Sequence, residues 1–503
     1  MPTHHKTLST FVALFLCAST FAAAQQAAPE PALGTGKVID LPQMGEPADL
    51  AMSPAQEQML GKQVVGELFA NNYVLEDAEL TEYISSIGWK LAAASQTKPP
   101  QLSFMVIADD RINAFALPGG YIGVNAGLLL AATNESEVAG VLGHELAHVT
   151  QRHIARAQEG EQAATIATWA AVLAAIIAGS ANPDIVIGAL SLGQAVTYQR
   201  QVSYTRSNEQ EADRFGIQTM AAAGFDAEGM ASFFTRLQQQ ARLYGSGMPE
   251  ILRTHPLNTS RIAEARARIA AIPRITRKDP VDFSLMQARA RAMAADSLSE
   301  AVEYFSGQVS SGRDAAANRY GLAYALSERG EYDNAISALK PALTQFPRQV
   351  NLNLLLGHLQ LSLNRHEEGL ATLQRTLALY PRYAPAIFTY ADALMTAGKP
   401  DEARQVLISH EQALGMRLQT YNLLALAARD MNNSGEAAFQ MANYLFLRGD
   451  AGGALAQLDA GLRTASLSKQ DRARLMAKRQ EIRDSMPRDW RPPRDDGQRM
   501  AFH

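Results

Sequence analysis

The 503-residue sequence holds one cysteine, Cys17, so the chain can form no internal disulfide. A basic surplus is missing as well. With a formal net charge of -4 and a pI near 6.2, nothing marks nucleic acid as a partner. Long apolar runs are also scarce. The two most hydrophobic internal stretches, 163–178 and 185–196, are split by Gly179, Asn182 and Pro183, and each falls short of the ~18–20 residues that span a bilayer. The reading favoured here is a helical hairpin over a site, with peripheral membrane contact through 163–196 as the alternative.

The first residues carry an address. His4, His5 and Lys6 make a polar to basic start, Phe11 to Leu16 an apolar core, and Ala22-Ala23-Ala24 an A-x-A-like cleavage site, so residues 1–24 read as a secretory signal. Cys17 then lies in the removed segment behind Leu16, where a lipoprotein signal needs a small residue, and export without lipidation is expected. Residues 25–50, rich in Ala, Pro and Gly, read as an extended leader. A chain of this length is too long for one core, which predicts two domains or one domain plus a repeat array.

Ser53 before Pro54 predicts a capped helix to about Phe69, and Leu80, Tyr83, Ile84, Ile87 and Leu91 share a face of a second. Strands follow at 102–108, 112–117 and 121–124 around turns at Asp109-Asp110 and Gly119-Gly120. Asn134 with Glu137 then predicts a capped helix. That helix carries His144-Glu145-Leu146-Ala147-His148, and at about 100° per residue the three polar side chains share one side. Two imidazoles so placed suit two ligands of a catalytic zinc ion, and Glu145 suits a general base on the water at the open position. Downstream, Glu209 and Asp213 share a helical face, while Glu211 points about 200° away. Glu209 suits a third ligand and Asp213 a carboxylate that orients a ligand histidine. His153, about 140° round from His148 on a continued helix, reads as surface. An HExxHxxGxxH site is excluded, since Gln151 and Ile154 stand where Gly and the third His belong.

These two halves, HExxH and ExxxD, resemble the HtpX-like gluzincin zinc metallopeptidases. The resemblance implies one Zn²⁺ per chain on His144, His148 and Glu209, with Glu145 and Asp213 catalytic. It also marks Asn113-Ala114-Phe115-Ala116 as a substrate-side sheet edge, an ordinary core strand being the alternative. A similar His-Pro segment in the family draws attention to His255 in Thr254-His255-Pro256. Its histidine would polarise the substrate carbonyl or fill the open zinc position and hold the enzyme inactive; a turn or capping residue is the plainer role.

Beyond Pro280 the sequence repeats. Ala301, Ala335, Gly369, Ala403 and Ala437 are successively 34 residues apart, as are Ala323, Gly357, Ala391 and Ala425. A 34-residue period with small residues at two fixed positions is the tetratricopeptide pattern. The expected division is a peptidase domain over 51–280, a repeat array over 281–486 and a tail over 487–503. The expected fold class is α+β and mostly helical: a gluzincin-type peptidase domain with a small sheet, followed by an α-solenoid whose concave face binds protein segments. Export signal, peptidase and repeats in this order resemble the BepA-like periplasmic metalloproteases. That likeness implies a periplasmic protease with a chaperone-like role in outer-membrane β-barrel assembly. Its partners would be barrel precursors and the assembly machinery, met through the repeats. The alternative is a chaperone or scaffold with an occluded zinc site.

Overall fold

A computed structural model describes residues 52–486 apart from 100, 157–205, 245–248, 276, 314, 416 and 466. The signal, the leader, the hairpin over 163–196 and the tail lie outside the described residues. The fold is mostly helical with one three-stranded sheet. Among the described residues no helix is long and apolar enough to cross a membrane.

Helix α1 (Pro54–Ala70) starts as its letters predict, with Ser53 and Gln56 bonding each other's backbone N–H in a reciprocal box. Helix α2 (Ala78–Ala94) is capped by Asp77 and buries Leu80, Tyr83, Ile84, Ile87 and Leu91, the face that the spacing selects. Strands β1 (Ser103–Ile107), β2 (Ala114–Leu117) and β3 (Tyr121–Asn125) pair in the order β1-β3-β2. β1 runs parallel to β3, with Phe104 opposite Ile122, and β2 folds back antiparallel, with Phe115 opposite Gly123. β2 is thus an outer strand, and its four side chains are all buried.

After the short α3 (Ala126–Ala131), the motif helix α4 (Glu135–Thr150) begins at Asn134, whose side chain accepts from the Glu137 N–H. The return bond lands one residue early, Glu137 accepting from the Thr133 N–H at 2.7 Å. Burial is not confined to a stripe, since every residue from Glu135 to His148 is buried. Helix α6 (Arg206–Ala222) lies against α4, and glycines set how close it comes. A Cβ on Gly143 would lie 3.3 Å from the Gly216 carbonyl, and one on Gly216 3.1 Å from the His144 nitrogen. Gly216 stands on the face of Glu209 and Asp213, so this contact aims both carboxylates at the motif histidines. Between the two helices comes α5 (His153–Arg156); α7 (Glu228–Tyr244), α8 (Ile251–Thr254) and α9 (Thr259–Ala270) complete the lobe.

Paired helices follow: α10 (Val281–Met293), α11 (Leu298–Ser310), α12 (Ala316–Glu328), α13 (Tyr332–Gln345), α14 (Val350–Ser362), α15 (His366–Leu379), α16 (Ala384–Thr396), α17 (Pro400–Ser409), the one-turn α18 (Glu411–Leu414), α19 (Leu418–Asp430), α20 (Ser434–Leu447), α21 (Ala451–Leu462) and α22 (Lys469–Asp484). The 34-residue period recurs in the turns, where Gly330, Asn364, Gly398 and Asn432 all take positive φ. The small positions are buried at Ala301, Ala323, Ala335, Gly357, Gly369, Ala391, Ala403 and Ala425. The pattern slips at α20, where Ala437 is half-buried and Ala438 is buried instead. Ala438 faces Gly461 of α21, where an added Cβ would come within 2.6 Å of it, so the last helices turn that face by one residue. One apolar cluster runs unbroken from Leu80 and Val141 into Leu339 and Leu359, joining the lobe to the repeats.

Candidate metal centre

His144 and His148 sit one turn apart on α4, with their Nε2 atoms 3.0 Å from each other. Glu209, delivered by α6, brings Oε2 to 3.5 Å from His144 Nε2 and Oε1 to 3.5 Å from His148 Nε2. His255, closing the one-turn α8, donates its backbone N–H to the Ile251 carbonyl, as a capping residue does. Its ring does more: Nδ1 lies 3.2 Å from His144 Nε2 and 3.1 Å from Glu209 Oε1. The four residues are buried, and one donor atom from each falls within 4.8 Å of all the others.

Around this cluster the remaining expected residues take definite places. Glu145 is fully buried with neither carboxylate oxygen hydrogen-bonded, and His255 Nε2 stands 3.5 Å from its Oε1. Asp213 accepts at 3.0 Å from His144 Nδ1, the ring nitrogen turned away from the cluster. The sequence thus brings together all six residues it nominates: His144, Glu145, His148, Glu209, Asp213 and His255.

Two others were missed. Arg261, buried at the third position of α9, donates to both Asp213 oxygens and reaches Glu209 Oε2 at 2.7 Å. His153 is fully buried, which corrects its assignment to the surface. Helix α4 ends at Thr150, and Arg152 at φ 51 turns the chain back, so extending the helical period past that point misplaces the ring. His153 Nδ1 lies 2.8 Å from His148 Nδ1, and its Nε2 lies 3.1 Å from Glu211 Oε2. No glycine announces this turn, so the letters hide it.

The electrostatics treat the imidazoles of this centre differently. Burial opposes a charge on His144, but hydrogen bonds to Asp213 and Glu209 and their negative charges push its imidazole up to about 10. Burial would raise the Glu209 carboxyl, yet His255 and His144 beside it hold it well below the usual range. For His148, burial and the neighbouring His144 act together and drive it well below its ordinary value. Burial likewise lowers His153 against the pull of Glu211. Three imidazoles and a carboxylate converging in the buried interior form a donor set that fits a metal ion, with the Glu145 carboxylate beside it free of hydrogen bonds.

This lobe and the repeat array define a metalloendopeptidase fused to tetratricopeptide helices. Residues 78–269 match the model of peptidase family M48, and 326–379 and 354–413 match tetratricopeptide repeat models. The chain is 33% identical over 454 residues to the beta-barrel assembly-enhancing protease of Escherichia coli (strain K12), covering 89% of this chain and 92% of that protein. It is 38% identical over 322 residues to a putative beta-barrel assembly-enhancing protease of Vibrio cholerae, covering 63% and 66% of the two chains. A mitochondrial metalloendopeptidase of Arabidopsis thaliana is 28% identical over 222 residues, 43% of this chain and 42% of that one. The chain belongs to the beta-barrel assembly-enhancing proteases of peptidase family M48.

Proposed function

We propose that this metalloendopeptidase uses zinc and works in the periplasm on outer-membrane β-barrel precursors, aiding their assembly and degrading those that misassemble. The observation that carries the chemistry is the convergence of His144, His148 and Glu209 beside a Glu145 whose carboxylate is buried without a hydrogen bond. The relatives named for barrel assembly support the client class, and the signal read at 1–24 supports the compartment.

In this reading His144 Nε2, His148 Nε2 and a Glu209 oxygen hold the ion. When bound, zinc supplies Lewis acidity that polarises a scissile carbonyl and acidifies water. Glu145 takes a proton from the attacking water as its oxygen bonds to the carbonyl carbon, and hands that proton to the amine nitrogen as the C–N bond breaks. Asp213 orients His144 through Nδ1. The outer strand β2 lies beside the motif helix and suits backbone pairing with an extended substrate. His255 would polarise the substrate carbonyl or fill the open zinc position and hold the enzyme inactive.

We further assign 51–280 to the peptidase domain and 281–486 to the array, whose concave face would meet precursors or the assembly machinery. A second reading, a chaperone whose zinc site is occluded, draws support from His255 closing the donor set.

Glu145→Gln tests the assignment. Peptide cleavage should vanish while zinc content and thermal midpoint stay at parental values, and cleavage at the parental rate refutes the role. The same variant sustaining barrel assembly in cells would favour the chaperone reading.

A further inference from the structure

His153 and Glu211 have no part in the chemistry above, yet they stand directly behind a ligand histidine. His153 Nδ1 is 2.8 Å from His148 Nδ1, on the edge of that ring opposite the Nε2 that faces His144 and Glu209. His153 Nε2 is 3.1 Å from Glu211 Oε2, and Arg156 Nη1 is 3.1 Å from the same oxygen.

The placement of protons follows from what each atom can do. An ionised carboxylate only accepts, so the His153 proton belongs on Nε2. A neutral imidazole with its proton there has a lone pair on Nδ1. That lone pair, at 2.8 Å, requires a proton on His148 Nδ1. His148 is then left with its lone pair on Nε2, aimed at the donor cluster. We propose that Glu211 and His153 form a positioning relay that fixes the tautomer and ring orientation of His148 for metal binding. The inference rests on His148 being a ligand, as proposed above.

The relay gives helix α6 two separate holds on the motif helix. Asp213 reaches His144 Nδ1 directly, and Glu211, on the other face of α6, reaches His148 Nδ1 through an interposed imidazole. The turn at Arg152 carries His153 back into position between them.

Chelator competition for zinc, read alongside the thermal midpoint of the metal-free full chain, tests the relay. His153→Leu fills the space without an acceptor and should weaken zinc binding about 10–100-fold, the usual effect of losing such a partner. His153→Gln, whose amide oxygen can accept from His148 Nδ1, should recover most of that affinity, with both variants melting alike without metal. Parental affinity in His153→Leu, or equal loss in the Leu and Gln variants, overturns the relay. Should His153→Leu fail to fold, Glu211→Ala decides at the partly exposed end: several-fold weaker binding supports the relay and parental binding overturns it. His144→Ala is the reference. If it leaves zinc affinity unchanged, the metal centre itself is wrong and the relay falls with it; if it abolishes binding while His153→Leu does not, only the relay is lost.

Discussion

Arg261 grips Asp213 with two parallel hydrogen bonds, Nε to Oδ2 and Nη2 to Oδ1, each 2.8 Å long. Its third nitrogen, Nη1, meets Glu209, so one buried guanidinium spans the carboxylate bonded to His144 and the carboxylate of the His144-His148-His255 cluster. Arg261→Ala would strand both acids in a dry interior, at a cost of about 3–5 kcal/mol. Denaturant unfolding of the metal-free protein reads this loss. Arg261→Lys should recover little, since an ammonium cannot form the fork. An Ala variant as stable as the parent would show that water replaces the guanidinium freely.

A pH dependence follows from Glu137, buried in the first turn of the motif helix. Burial pushes its carboxyl up, but Arg236, the Thr133 N–H and the Ser232 hydroxyl outweigh that and hold it below its ordinary 4.5. A depressed value in the folded state means stability present in full above 4.5 and lost as pH falls through the folded value. Glu137→Gln should cost on the order of 1.5–3 kcal/mol at neutral pH, the scale of a charged hydrogen bond. The gap between parent and variant thermal midpoints should then shrink from about pH 5 down to about pH 3. A gap that is constant or grows on acidification contradicts the assignment.

What the letters revealed and what they hid divide along a physical line. His144, Glu145 and His148, or Glu209 and Asp213, fall on one face by helical period alone, and Ala335, Gly369 and Ala403 recur at helix crossings for the same local reason. Arg261 was invisible because its role exists only once α9 packs against α6. His153 was misplaced because the helix ended two residues before the turn at Arg152. Ala437 lost its place to Ala438 because α20 packs against α21 and α22 rather than another regular repeat. Periodicity is legible within an element, whereas its ends and its neighbours are decided by tertiary packing.

The join between the peptidase lobe and the repeats gives a third test. Half-buried Arg289 of α10 pairs with the buried Asp77 at 2.7 Å and Glu79 at 3.0 Å, the cap and first turn of α2. Arg329 pairs with Glu331 at the surface, each side chain about a third exposed. Removing the first cation leaves two carboxylates buried, so Arg289→Ala should cost about 3–5 kcal/mol. Arg329→Ala should cost less than about 1 kcal/mol, since solvent screens an exposed pair. Thermal midpoints of the two variants check the contrast, and equal shifts would mean that the join contributes no more than a surface contact.

Inside the array, one substitution at two glycines should give opposite signs. Gly307 of α11 faces open space, with nothing within 4 Å of an added Cβ, so Gly307→Ala gains helix propensity and should stabilise by up to about 1 kcal/mol. Gly357 of α14 is one of the 34-residue positions, and there a Cβ would lie 2.5 Å from Cγ of the fully buried Leu373 on α15. The same propensity gain is available, but forcing the two helices apart should cost about 1–3 kcal/mol and win. Gly357→Ala should therefore lower the thermal midpoint while Gly307→Ala raises it. Combining Gly357→Ala with Leu373→Ala should cost less than the sum of the two alone, because each change makes room for the other. Simple additivity would mean that close approach at this crossing does not require the glycine.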